Sequence, residues 1–322
     1  MLSIAEGLLI FIVVGESILG VLGNGFIGLV NCIDCVTNKK FSVIGLIFIG
    51  LATSRIFLIW IIITDAFIKI FSPHMYTSGN LSEYISYAWI IINHLSTWFA
   101  SSLSTFYFLK IANFSHHCFL WLKHRIHRVL SFLMGLMLIS WLLVLPQIVK
   151  IIKDLKMNNN SNTTWQFNIP KSDYFTYYTL LSLGVIFLFI LCLVTCLLLI
   201  VSLWRHNRHM QSNALGGRDP STEAQVKAIK ILVSFIALFI LHFIGIAIEV
   251  ACSAALENKL LFIFGVTTVV IYPCGHSFIL ILGNSKLKQA SWKVLQPLKC
   301  CGKAKPLGTP QPGMGRTGGP RE

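Results

Sequence analysis

The chain has 322 residues, of which 55% are hydrophobic and only 12% are charged, and its mean hydropathy is +0.73. Soluble domains carry about twice this charged fraction, so the composition excludes an ordinary soluble domain and predicts a polytopic membrane protein. The formal net charge of +14 does not indicate a nucleic-acid-binding protein, because the basic residues lie between and after the apolar stretches and not on one soluble face.

Seven apolar stretches follow one another along the chain, at about 7–31, 43–68, 85–111, 129–149, 177–203, 229–253 and 260–282. Each is long enough for a membrane-spanning helix, and backbone groups in lipid must be hydrogen-bonded within the segment. No alternation typical of a membrane β-barrel and no repeat typical of transporters is visible. We therefore predict an all-α membrane protein in which residues 1–284 form a bundle of seven transmembrane helices.

The orientation of this bundle follows from the distribution of Lys and Arg. Of the 26 basic residues, 19 lie in segments that are cytoplasmic if the N-terminus is extracellular, and six lie in the opposite loops. Because cytoplasmic loops carry the excess of basic residues, we expect an extracellular N-terminus and a cytoplasmic C-terminus. Glycosylation sequons at Asn80, Asn159 and Asn162 fall in loops that this topology places outside.

The third stretch differs from the others in its polarity. Residues 89–116 read WIIINHLSTWFASSLSTFYFLKIANFSH, with eight polar side chains from Asn93 to Thr105. Such a helix should be enclosed by other helices and face a partly wet cavity. Trp89 and Asn93 share one helical face, and an aromatic ring beside an amide suits an apolar ligand held by one hydrogen bond. His94 lies about 100° around the helix, where packing against a neighbouring helix is an equal alternative.

Few charged residues lie inside the other stretches, and each has a structural alternative. Arg55 lies mid-span, so we expect an interhelical latch with Asn24 of the first span or with Ser277 or backbone carbonyls of the seventh. This latch is either purely structural or rearranges on activation. Asp65 and Glu249 lie near the outer ends of spans two and six, where they counter a cationic ligand or reach interfacial water. The remaining candidate walls of a pocket, for which an aromatic core is an equal alternative, are Ile186, Phe187, Phe239 and His242.

The segment after the seventh stretch is predicted to lie on the inner leaflet. Residues 285–299 place Leu287, Ala290 and Val294 near one face, with lysines alongside, as in a short amphipathic helix. Cys300 and Cys301 follow it and are candidates for palmitoylation, with unmodified thiols as the alternative. Residues 300–322 are rich in Gly and Pro and are predicted to be a disordered cytoplasmic tail.

No enzyme motif is recognisable: the sequence contains no HExxH, no GxSxG and no P-loop. We expect no cofactor and no metal. The main hypothesis is a membrane receptor that is not rhodopsin-like. Three alternatives remain: a transporter or channel, a membrane-embedded enzyme, and a rhodopsin-like receptor. The lack of repeats and the position of most His residues at membrane edges argue against the first two.

Several motifs together resemble the type 2 (bitter) taste receptors, a family of seven-helix G-protein-coupled receptors. They are LGNGFIGLVNCID at 22–34, GLATSR at 50–55, FYFLKIANFSH at 106–116, FLWLK at 119–123, LIVSLWRHNRHMQ at 199–211, GRDPSTEA at 217–224 and HSFILILGNSKLKQA at 276–290. Lys110-Ile-Ala stands where rhodopsin-like receptors carry Asp-Arg-Tyr, and no Asn-Pro-x-x-Tyr closes span seven. These departures agree with the taste receptors and argue against a rhodopsin-like receptor.

The resemblance implies ligands and partners that the residues alone do not. The ligands would be small bitter compounds such as alkaloids, bound in an outward-facing pocket among the helices. The partner would be a gustducin-type heterotrimeric G protein at the plasma membrane, acting through phospholipase C and calcium.

The resemblance also implies roles for individual residues. Trp89 and Asn93 occupy positions of agonist contact, Phe239 that of an activation toggle, and His242 departs from the aromatic ring that is usual in relatives. The interhelical latch would involve Asn24, Arg55, His276 and Ser277. The surface facing the G protein would include Lys110, His116, His206, Lys230 and Lys286.

Overall fold

The computed structural model describes residues 3–38, 42–72, 74–75, 81–112, 114, 116–139, 142, 146, 187–205, 208, 220–253 and 259–301. All regular elements in this part of the chain are helices, which confirms the all-α prediction there. In chain order they are α1 (Ile4–Asn38), α2 (Val43–Phe71), α3 (Leu81–Ile111), α4 (His117–His124), α5 (Ile126–Ile139), α6 (Phe187–Arg205), α7 (Pro220–Ser253), α8 (Lys259–Gly283) and α9 (Ser285–Cys301).

Five helices among the described residues are long and apolar enough to cross a membrane: α1, α2, α6, the 229–249 part of α7, and α8. Helix α3 spans 31 residues but is not one of these five, because its Ser, Thr, Asn and His side chains make it more polar. Helix α5 covers the first part of the fourth predicted stretch, and most of the remainder lies outside the described residues. The chain is a helical membrane protein, while the number of seven spans stays a prediction.

Helix α8 packs against α1, α2, α7 and α9. Two glycines allow its close contact with α1 and α7, as small residues do in membrane bundles. A Cβ atom on Gly23 of α1 would lie 2.5 Å from Ser277 Oγ, and one on Gly245 of α7 would lie 2.9 Å from the backbone nitrogen of Val269. Helix α7 therefore approaches the backbone of α8 directly, and α1 approaches the side chain of Ser277.

One residue, Asn284, separates the end of α8 from the start of α9. Its Oδ1 accepts hydrogen bonds from the backbone N–H groups of Lys286 and Leu287 at 3.0 and 3.3 Å, as an N-cap residue does. Leu287 is buried against the bundle, whereas Val294 is exposed. Lys286 Nζ lies 2.5 Å from Asp34 Oδ2 of α1, so an ion pair joins α9 to the end of the first helix.

Several predicted sites lie outside the described residues. They are Ile186 of the candidate pocket, His206 of the basic surface, the sequons at Asn80, Asn159 and Asn162, the side chains of Cys300 and Cys301, and residues 302–322 of the tail.

Candidate functional site

Arg55 lies fully buried in α2, with 0% of its surface exposed. Its Nη2 donates a hydrogen bond to Tyr272 Oη at 2.9 Å and also contacts Nδ1 of His276, both on α8. The guanidinium carbon lies 4.9 Å from the Tyr272 ring centroid. Since an Arg nitrogen only donates, His276 Nδ1 must accept and its proton belongs on Nε2. This group ties α2 to α8 in the middle of the bundle.

The partners that the sequence predicted for Arg55 bond elsewhere. Asn24 Nδ2 donates to the carbonyl oxygens of Pro273 at 3.0 Å and Gly20 at 2.8 Å, and Ser277 Oγ donates to the carbonyl of Cys274 at 2.7 Å. Tyr272 and His276 thus hold Arg55 in place of Asn24 or Ser277, and of these two partners His276 belongs to the predicted latch. Both Asn24 and Ser277 bond within the same turns of α8, so the four predicted latch residues do converge.

Tyr272 joins Arg55 to an aromatic cluster that was not predicted as a unit from the sequence. Phe239 of α7 lies at its centre, with ring centroids 5.1 Å from Tyr272 and 5.0 Å from Phe189 of α6. No signal in the sequence singled out Tyr272 or Phe189, because an aromatic residue in an apolar stretch is equally typical of simple packing. The aromatic cluster consists of Phe189, Phe235, Phe239, Phe243 and Tyr272.

Helix α3 contributes the predicted ligand-contacting face. Trp89 is half-buried and packs against a buried apolar cluster from α1, α2 and α8. Asn93 is buried, and within the described part of the chain no hydrogen bond to its side-chain amide is seen. His94 is also buried, with its ring 6.4 Å from that of Trp98, which favours the packing alternative for this residue. Trp89 and Asn93 therefore supply one apolar surface and one available amide.

The two predicted carboxylates lie at the end of the bundle where α1 begins. Asp65 Oδ2 forms an ion pair with Lys69 Nζ at 2.6 Å, one turn further along α2. Glu249 of α7 is half-buried and lies close enough to interact electrostatically with both Lys69 and Asp65. Among the described residues, Lys69 thus lies beside one acid and within electrostatic range of a second. A cationic ligand would have to compete with Lys69.

The structure places Phe187 differently from the prediction of a pocket wall. Its side chain is 65% exposed, whereas Phe189 contacts Phe239 and Phe243 of α7. Two residues correspond to about 200° around a helix, so the two rings lie on opposite faces. The stretch is apolar on all sides, and its sequence therefore gave no indication of which ring points inward.

A cavity of about 130 Å³ lies towards the opposite end of the bundle, among α3, α6, α7, α8 and Asn284. Its walls are mainly apolar, with Leu103 and Tyr107 of α3 and Leu199 of α6 among them. Phe235 of the aromatic cluster and His276 of the Arg55 group also line it. The buried polar contacts of α8 are therefore continuous with this cavity.

Basic side chains surround this end of the protein. Lys110, His116 and Lys230 are exposed, as the prediction of a partner-facing surface requires. Lys286 is 46% exposed but is engaged in the ion pair with Asp34. Lys123 of α4 donates to the carbonyl of Ala112 at 2.9 Å, just after the last turn of α3, and so fixes α4 beneath that helix. The role of these residues as a partner-facing surface stays a prediction, and one of its lysines also positions α9.

Comparison with known proteins adds a match over nearly the whole chain. The family model described as Taste receptor protein (TAS2R) matches residues 1–299. The chain is 67% identical to Taste receptor type 2 member 10 of Papio hamadryas and 65% identical to the protein of that name of Homo sapiens, each over 95% of this chain and 99% of the relative. It is 54% identical to Taste receptor type 2 member 107 of Mus musculus, over 94% of this chain and 97% of that protein. These matches confirm the resemblance that the sequence motifs indicated.

Proposed function

The chain belongs to the taste receptor (TAS2R) family, a family of receptors and not of enzymes, and from this premise we propose that it is a G-protein-coupled receptor for bitter compounds. The proposal includes seven membrane spans, an extracellular N-terminus and a cytoplasmic C-terminus in the plasma membrane. The excess of Lys and Arg in the segments assigned to the cytoplasm supports this orientation. Sugar found on Asn113, which the proposal places on the cytoplasmic side, would contradict it.

The ligand site is proposed to lie beside α3, at the end of the bundle where α1 begins. The single observation that carries this assignment is that Asn93 is buried one turn from the half-buried Trp89 ring. An amide beside an aromatic ring offers a ligand one hydrogen bond and an apolar surface. The site therefore suits a small, largely apolar compound with one polar group.

Acidic residues at the same end extend the range of ligands to cations. Asp65 and Glu249 supply two carboxyl groups at this end, and a protonated amine is proposed to bind near them in competition with Lys69. Since many bitter compounds are alkaloids, these carboxyl groups are consistent with the proposed ligand class. Phe239 and His242 are proposed to respond to the ligand through α7.

Activation is proposed as a population shift that the aromatic cluster and the Arg55 group transmit. An agonist must bind the active arrangement more tightly than the resting one, because only differential affinity shifts the equilibrium. Phe239 contacts Tyr272, which bonds to Arg55, and His276 beside it lines the cavity at the opposite end. A displacement of α7 at the ligand end can thus reach the cavity through contacts in series.

The partner is proposed to be a gustducin-type heterotrimeric G protein that binds the cavity end. The apolar walls suit the insertion of an amphipathic helix, and the exposed Lys110, His116 and Lys230 add positive charge around it. The expected downstream signals are phospholipase C activation and calcium release.

The test is calcium mobilisation in cells that express the receptor with a chimeric G protein. Asn93→Ala removes one neutral hydrogen bond, worth about 0.5–1.5 kcal/mol, and should raise the half-maximal agonist concentration about 2- to 10-fold. Trp89→Ala removes a large aromatic surface and should raise it more than about 10-fold. Trp60→Ala is the matched control, because Trp60 is exposed on α2.

Surface expression is measured for every variant, so that a loss of folded receptor is not taken for a loss of affinity. If Trp89→Ala and Asn93→Ala respond as the unmodified receptor does, at equal surface expression, the pocket is wrongly assigned. If no bitter compound evokes calcium release in the unmodified receptor, the proposed ligand class is wrong.

A further inference from the structure

Pro273 interrupts the backbone hydrogen bonds of α8. It lies inside this helix, which runs from Lys259 to Gly283. Because proline has no N–H group, the carbonyl four residues earlier, that of Val269, has no helical donor at position 273. Within a membrane such a carbonyl needs another partner, and helix-breaking residues are tolerated where a neighbouring helix supplies one. The carbonyl of Val269 is therefore the position at which α8 needs a hydrogen-bond donor from another helix.

His242 of α7 supplies that partner. Its Nδ1 lies 3.2 Å from the carbonyl oxygen of Val269, and the residue is only 3% exposed. A carbonyl oxygen can only accept, so the proton of the imidazole must be on Nδ1 for this bond to form. The contact joins α7 to α8 at the carbonyl that Pro273 leaves without a helical donor.

The surrounding packing fixes this contact. Gly245 lies three residues after His242 on the same face of α7, and a Cβ atom there would lie 2.9 Å from the backbone nitrogen of Val269. The His242 ring lies 4.9 Å from Tyr272, which restricts its orientation. On the other side of α8, Asn24 of α1 donates to the carbonyl of Pro273 itself at 3.0 Å. The proline turn is thus held between α1 and α7.

We propose that His242 is a positioning residue that fastens α7 to the proline turn of α8, and that this bond is released when α7 moves during signalling. The first part stands on the contacts of His242, Pro273 and Val269 alone. The second part rests on the proposed receptor function. This role differs from that of a ligand-contacting wall, because the Nδ1 proton is already used inside the protein.

A double-mutant cycle tests the fastening. His242→Phe keeps an aromatic ring beside Tyr272 but removes the donor, and the thermal unfolding midpoint of the receptor in detergent should fall by about 2–4 °C. Pro273→Ala restores a helical N–H for the Val269 carbonyl. In that background the same His242→Phe change should lower the midpoint by less than about 1 °C. His242→Asn, which keeps a donor near the Nδ1 position, should recover most of the loss.

A different result is expected if the ring of His242 only packs against its neighbours and its hydrogen bond contributes no stability. The loss would then be the same with Pro273 and with Pro273→Ala, and His242→Asn would be at least as harmful as His242→Phe. Either of these outcomes overturns the fastening.

The release is tested by calcium signalling without agonist, at equal surface expression. If the bond opposes the movement of α7, His242→Phe should raise this basal signal about 2- to 10-fold, and Pro273→Ala should abolish the difference. A basal signal that does not change refutes the release, and a loss of potency restricted to some agonists shows a ligand contact instead. The thermal double-mutant cycle needs no ligand, so its result does not depend on the proposed receptor function. A failure of the receptor function can therefore be distinguished from a failure of the fastening.

Discussion

Replacing Tyr272 by Phe isolates one hydrogen bond to the buried charge of Arg55. The substitution removes the hydroxyl that accepts from Arg55 Nη2 at 2.9 Å and leaves the ring in place. The aromatic contacts of that ring, at 5.1 Å from Phe239 and 4.9 Å from His242, do not depend on the hydroxyl. The change in stability therefore reports the polar contact with little contribution from packing.

The expected magnitude follows from the surroundings of Arg55. Neutral hydrogen bonds between membrane helices average only about 0.6 kcal/mol, but bonds to charged groups contribute about 1.5–3 kcal/mol. Arg55 is fully buried, and within the described residues its Nε and Nη1 atoms have no hydrogen-bond partner. Without the Tyr272 hydroxyl, Arg55 Nη2 loses this hydrogen bond, and bulk water cannot replace it at a fully buried site. The range for bonds to charged groups, about 1.5–3 kcal/mol, therefore applies. At about 2 °C per kcal/mol, the unfolding midpoint should fall by about 3–6 °C.

The assay is thermal unfolding of the purified receptor in detergent. Tyr84→Phe is the matched control, since Tyr84 is exposed near the start of α3 and loses the same atom. The reasoning is refuted if Tyr272→Phe unfolds within about 1 °C of Tyr84→Phe, because the hydroxyl would then contribute no more than a solvated one.

Two further predictions concern the contacts of α8 and α9. Gly245→Ala places a methyl group 2.9 Å from the backbone nitrogen of Val269 and should destabilise the protein by about 1–3 kcal/mol, whereas Gly25→Ala, where nothing lies within 4 Å, should be neutral or stabilising by up to about 1 kcal/mol. Equal unfolding midpoints for the two variants would contradict the close approach of α7 and α8. Asp34→Asn removes the half-exposed ion pair with Lys286 and should increase amide deuterium exchange in α9 while the global midpoint changes by less than about 2 °C. Exchange in α9 that is unchanged would show that the ion pair does not position this helix.

The helical character and membrane location of this chain could be predicted from local sequence. Long apolar runs and the composition are sufficient for this, and within the described residues five of the seven predicted stretches contain helices long and apolar enough to cross a membrane. The third stretch shows where the rule weakens. Its polar side chains predict a helix enclosed by other helices. The same side chains leave α3 outside the set of helices that are apolar enough to cross a membrane by composition alone.

The candidate site was only partly predictable. The sequence identified Arg55 as a buried charge that needs partners, and the structure confirms its burial. Of the predicted latch residues, His276 contacts the guanidinium, whereas Asn24 and Ser277 bond to backbone carbonyls. The second partner, Tyr272, was not predicted. Which side chain meets Arg55 depends on the rotation of α8 about its axis. No local pattern encodes that rotation.

The sequence by itself determined the class of protein, the family to which it belongs, and the residues whose chemistry demands a partner. These features depend on composition, short motifs and the cost of polar groups in lipid, all of which are local. Only the tertiary structure decided which groups meet: Phe189 with Phe239, and His242 with the carbonyl of Val269. The second contact exists because Pro273 removes a donor from one helix and Gly245 lets another helix approach. Such a pairing joins positions 27 residues apart on separate helices, and it is fixed by how closely and at what rotation the helices pack.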